Sequence, residues 1–95
     1  MANSIELHIE HEAGLHARPA ALFVETAASF DASITIENLS AGSSPVNAKS
    51  ILSLLTSGVE HGHRIRISAD GEDADAALQA LSALVTGNFG EGAEG

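Results

Sequence analysis

The 95-residue sequence predicts an α+β fold in which helices cover one face of a mostly antiparallel sheet. Short runs that alternate apolar and polar residues supply the strands, and between them apolar residues recur at three- and four-residue steps. The elements are also too brief for parallel crossovers throughout.

Ile5, Leu7 and Ile9 alternate with Glu6, His8 and Glu10, the period of a strand with one wet face. After Ala13-Gly14-Leu15 the period changes: Ala17, Ala20, Ala21, Val24, Ala27 and Ala28 fall on one helix face. That helix begins near His16, and Pro19 suits its first turn, where amides lack an intrahelical acceptor. Ile34 and Ile36 alternate with Ser33, Thr35 and Glu37 as a second strand. The polar run 40–45 then reads as a turn, followed at most by a short strand. Asn47 is the expected cap of a helix running through Lys49 to Thr56, and Gly58 suits a left-handed C-terminal cap. Arg64-Ile65-Arg66-Ile67 alternates as a strand. Asp70-Gly71-Glu72-Asp73 then turns, placing carboxylates at a helix N-terminus where the macrodipole favours them. Ala74, Ala77, Leu78, Leu81 and Leu84 mark the buried face of that last helix. One domain thus spans 1–88. Residues 89–95, rich in glycine and glutamate, have too little apolar surface to offset ordering entropy and read as a flexible tail, from which only Phe89 is suited to dock back.

Size and charge narrow the function classes. A chain of 9.7 kDa folds to an accessible surface of roughly 5,100 Å² from roughly 14,000 Å² extended, which gives a real but thin core. Thirteen acidic residues face four basic ones, Arg18, Lys49, Arg64 and Arg66, for a net charge of −9. No basic stripe is available to neutralise phosphate backbones, which argues against a nucleic-acid partner. Without cysteine there is no disulfide framework, thiolate zinc site or cysteine nucleophile. The N-terminal residues lack a basic region followed by an apolar run, and no stretch approaches the apolar length of a membrane span. A cytoplasmic protein without membrane insertion is expected.

Gly14-Leu15-His16-Ala17-Arg18-Pro19-Ala20 puts an imidazole and a guanidinium at the opening of a helix. Backbone N–H groups and the positive helix end attract an anion and would stabilise a phosphoryl group on His16. The same field disfavours imidazolium and keeps the neutral ring that a nucleophile requires. Arg18 offers charge-assisted hydrogen bonds to phosphate oxygens, and Gly14 permits close backbone approach. A solvated histidine that merely caps the helix fits the same residue types.

The segment Gly14 to Ala20 resembles the active-site motif of the HPr family, the histidine-containing phosphocarriers of the phosphoenolpyruvate:sugar phosphotransferase system. Val46-Asn47-Ala48-Lys49-Ser50-Ile51-Leu52 resembles that family's second signature, and 58–73 continues the match. The resemblance covers residues 1–88 and implies an open-faced β-sandwich, a four-stranded antiparallel sheet covered on one face by three helices in the order β-α-β-β-α-β-α. It implies that His16 takes a phosphoryl group on Nδ1 from phosphorylated enzyme I and passes it to the A component of a sugar-specific enzyme II. Arg18 then stabilises the phosphate. The protein would be a monomeric carrier without turnover of its own and without a cofactor. Ser50 matches the family's regulatory serine, the target of a dedicated kinase and phosphorylase and a route to a transcriptional regulator; a helix-start serine is the plainer explanation. Leu52 and Leu55 are expected to face partners, because the resemblance implies an exposed apolar patch here and Ile51, Leu52, Leu54 and Leu55 exceed what one buried stripe needs; Lys49 beside them could pair with acidic partner surface.

The chain departs from the family in charge. Glu25, Thr26, Ala27 and Ala28 stand on the first helix where many members carry lysines, so docking on strongly acidic partners is in doubt. His61-Gly62-His63, and His8 with His11 and His16, evoke a metal site, but turn and strand-face positions account for them and no metal is expected. Two other readings remain: a regulatory or nitrogen-branch paralogue that signals through His16, and an interaction module that transfers nothing and acts through the Ser50 face. Retention of both His16 and Arg18 argues against the second.

Overall fold

The computed structural model describes residues 2–12, 14–15, 17–87 and 89. Seven elements follow one another: β1 (Ala2–His8), α1 (Ala17–Ala28), β2 (Ser33–Asn38), β3 (Val46–Asn47), α2 (Ile51–Thr56), β4 (Arg64–Asp70) and α3 (Ala74–Thr86). The strands form one antiparallel sheet in the order β1-β4-β2-β3. This is the α+β open-faced sandwich with three helices that the sequence predicts. The accessible surface is 5036 Å².

Register explains why one face is dry and the other wet. Ile5 pairs with Ile67 and Ile67 with Ile36, while Leu7 pairs with Ile65, so one row of side chains after another points into the helices. On the open face, Glu6 and Glu37 lie on either side of Arg66 in its cross-strand row. Arg66 Nη2 meets Glu6 at 3.0 Å and Nη1 meets Glu37 at 3.3 Å, and Arg64 reaches Glu6 at 3.6 Å. Two of the four basic residues are thereby matched by neighbouring carboxylates. The hydrogen bond to Glu6 is the main cause that raises the Arg66 guanidinium above its ordinary value, against a smaller opposing effect of burial.

The core contains Ile9, Leu15, Phe23, Ile34, Ile36, Leu54, Val59, Ile65, Ile67, Leu81 and Val85. Several local expectations shift. On α1 the buried positions include Ala20, Phe23 and Ala27, whereas Ala21 and Ala28 are exposed. On α3 Val85 is buried and Leu84 only half-buried, a small rotation of the stripe. The strand expected over 64–67 continues to Asp70, because Ser68 and Ala69 keep the alternation and pair with β2. Asp73 makes no side-chain cap bond to α3. Its carboxylate reaches back to accept the Asp31 and Ala32 amides at 2.8 and 2.9 Å, tying the α1–β2 turn to the start of α3.

The helix expected to start after Asn47 begins later. Asn47 belongs to β3, and its side-chain oxygen takes the Lys49 amide at 2.9 Å. Ser50 is the N-cap of α2, extended at φ −113° and ψ 116°, and its hydroxyl accepts the Ser53 amide at 3.2 Å. Of the segment expected to form a tail, the structure describes Phe89, which is 2% exposed; 90–95 lie outside the described residues. Among the described residues, no helix is long and apolar enough to cross a membrane.

Candidate functional site

His16, the expected phosphoryl acceptor, lies outside the described residues, and the site is built here from what flanks it. Downstream, α1 opens at Ala17, so Arg18 is the second residue of the helix, and its side chain is exposed. Pro19 is buried within the first turn, where a missing N–H costs no intrahelical bond. The helix therefore presents its first amides, and the positive end of its dipole, next to His16 in sequence.

Upstream, the loop after α2 cradles the segment that leads to His16. The Leu15 amide donates to the Val59 carbonyl at 3.0 Å, and the Gly14 amide donates to the His11 carbonyl at 2.9 Å. Gly14 has φ +63°, and a Cβ there would stand 2.5 Å from the Val59 oxygen and 2.6 Å from Glu60 Cα. Only glycine meets both demands. The close approach that Gly14 permits is thus to the 59–60 backbone. Leu15 itself is buried in the core. Ile9 adds two further anchors, donating to the His63 carbonyl at 2.9 Å and accepting the Gly62 amide at 2.8 Å.

That cradle is organised by a histidine. His63 Nδ1 lies 3.1 Å from the Glu60 amide and 3.2 Å from Asn38 Nδ2. A backbone N–H can only donate, so Nδ1 is the unprotonated ring nitrogen here. Asn38 is 1% exposed; its amide also donates to the Ser57 carbonyl at 3.3 Å, and its oxygen accepts the Ala41 amide at 3.1 Å. The sequence marked His63 only as part of a histidine-rich turn. Its partners stand 3 and 25 positions away, and the distant one gives no local signal.

The remaining expected positions lie on or beside α2. Leu54 is its buried anchor. Leu52 is 69% exposed and Leu55 39%, as expected of partner-facing residues, and Ile51, which the sequence expectation had not placed outside the core, is 42% exposed beside them. Lys49 is half-buried, and its ammonium donates to the Phe30 carbonyl at 2.6 Å, just beyond the end of α1. Ser50, expected in the first helical turn, sits one step earlier as the cap. Among the described residues, no three histidine or carboxylate side chains are grouped to hold a metal ion.

The chain is similar to known proteins in sequence and in fold. The family described as the PTS HPr component phosphorylation site matches residues 3–87. A multiphosphoryl transfer protein of Salmonella typhimurium is 41% identical over 90 residues, covering 95% of this chain and 24% of its own length. The chain thus spans about a quarter of that relative. The phosphocarrier protein HPr of Streptomyces coelicolor is 46% identical over 72 residues, covering 76% of this chain and 75% of the relative. The crystal structure of HPr-C-His from Thermoanaerobacter tengcongensis superposes with a TM-score of 0.89 at 42% identity, covering 94% of this chain and 97% of the other.

Proposed function

The chain belongs to the HPr family of phosphocarriers of the phosphotransferase system, and from that membership we propose that it relays a phosphoryl group through His16. The donor is the phosphohistidine of enzyme I, and the acceptor is the A component of a sugar-specific enzyme II. The neutral Nδ1 of His16 attacks phosphorus in line as the donor's P–N bond breaks. The reverse exchange hands the group on, so no net oxidation occurs and no cofactor is needed. The observation that carries this reading is the placement of Arg18 in the first turn of α1, two residues after His16, within the matched segment. Helix amides and guanidinium together offset charge on the transferred group.

The exposed Ile51, Leu52 and Leu55 supply an apolar docking surface, on the helix whose trailing loop holds Gly14 and Leu15. Lys49 contributes at its rim only through what its bond to Phe30 leaves available. A phosphate on Ser50 would keep an acceptor oxygen at the cap position while adding charge beside that surface, which gives the serine a regulatory role. The decisive experiment is incubation with phosphoenolpyruvate and enzyme I. One acid-labile phosphate is expected, and it is absent in His16→Ala; no label with several active enzyme I preparations would overturn the relay.

A further inference from the structure

Phe89 combines two features that seldom occur together. It is 2% exposed, and it has φ +55°, a left-handed conformation that is costly for a bulky L residue. Such a backbone persists only where packing over-determines it. Part of that packing is an edge-to-face contact with the His11 ring, centroids 5.8 Å apart and planes at 84°. His11 is the first residue of the turn whose carbonyl takes the Gly14 amide, and Gly14 lies against the backbone of 59–60. Backbone bonds therefore hold Ile9 and Leu15 at the two ends of this loop, and Phe89, from beyond α3, reaches its tip.

We propose that Phe89 is a positioning residue for phosphoryl transfer: packed on His11, it fixes the 11–15 turn and hence the direction in which the chain enters His16. The inference rests on the relay reading for its kinetic consequence alone, since the clamp on the turn is a property of the free protein. In-line transfer tolerates little misplacement, and a shift of about 1 Å can cost on the order of a hundredfold in rate. A turn that samples several conformations would slow transfer without removing any group that touches phosphate.

The test compares Phe89→Leu and Phe89→Ala with Val85→Ala, which truncates a buried residue of α3. Hydrogen exchange at the Leu15 amide and the rate of phosphoryl gain from phosphorylated enzyme I are read under conditions where each protein is fully folded. Phe89→Leu is expected to speed Leu15 exchange roughly tenfold beyond what its change in global stability accounts for. It should also slow phosphoryl gain roughly three- to tenfold. Val85→Ala should change Leu15 exchange only in proportion to global stability and leave the rate near wild type. Should Phe89→Ala fail to fold, Phe89→Leu carries the comparison. Leu15 protection in Phe89→Leu that merely follows global stability would overturn the clamp. An unchanged transfer rate in a variant with a loosened turn would overturn its role in transfer. A wild-type chain that takes no label would refute the relay and leave the exchange result to decide the clamp.

Discussion

At Gly14 two independent constraints coincide, a left-handed φ and the Val59 oxygen where a Cβ would stand. Gly14→Ala is therefore expected to lose more than about 2 kcal/mol, roughly 1–2 kcal/mol from backbone conformation and the rest from displacing the 59–60 segment. Urea denaturation checks this. Arg18 is the opposite case, exposed at the second helical position. Arg18→Ala should keep the melting temperature within a few degrees yet slow phosphoryl transfer on the order of a hundredfold, the scale seen when one donor to a developing charge is removed. Unfolding would assign Arg18 a structural role instead. The motif around these residues was legible because its elements are contiguous. Its supports were not, since the Val59 carbonyl that takes the Leu15 amide, the His63 carbonyl that takes the Ile9 amide and the Phe89 ring that packs on His11 come from 44 to 78 positions away.

Among the elements, α2 shows how capping and surface exposure divide the work of a short helix. Ser50 caps it and Leu54 anchors it, while Ile51, Leu52 and Leu55 remain outside the core. Ser50→Ala should cost about 1 kcal/mol, whereas Ser50→Asp, which keeps an acceptor for the Ser53 amide, should cost much less. Leu52→Ala should change stability by less than about 0.5 kcal/mol but weaken enzyme I binding at least roughly fivefold, as read by calorimetry. Element order was legible from periodicity, but boundaries depended on which of two polar residues won a competition. Asn47 and Ser50 both suit a cap; pairing of Asn47 with Thr35 in the sheet takes it out of contention. Alanine-rich α1 was ambiguous for another reason. Five alanines mark a face only weakly, and Phe23, with far more area to bury, sets the actual orientation. Asp73 is likewise diverted from capping α3 by the paired amides of Asp31 and Ala32. Asp73→Ala should cost about 2 kcal/mol through both bonds, measured by thermal unfolding.

For the molecule as a whole, charge is the distinguishing property. Arg64 and Arg66 are engaged with Glu6 and Glu37 on the open sheet face, and Lys49 with the end of α1. Because Arg66 is raised above its ordinary value, whatever it contributes is fully present below that value and is lost only as pH rises beyond it. Its pairs therefore give no pH dependence anywhere in the neutral range. The net charge of −9 instead bears on partners. Under the proposed relay, transfer to and from cognate partners should vary little with ionic strength, because α2 exposes Ile51, Leu52 and Leu55 while α1 carries no lysine. Efficient transfer from a distant organism's enzyme I that falls steeply with salt would refute this. The direction of β1 has a practical consequence for anyone attaching cargo. The strand runs about 20 Å from Ala2 to His8 before the turn that leads to His16, whereas Phe89 sits on that turn. A fluorophore or fused module placed ahead of Ala2 emerges at the remote end of the sheet. One joined just after Phe89 starts beside the His11 turn and crowds any partner that approaches the loop ahead of α1.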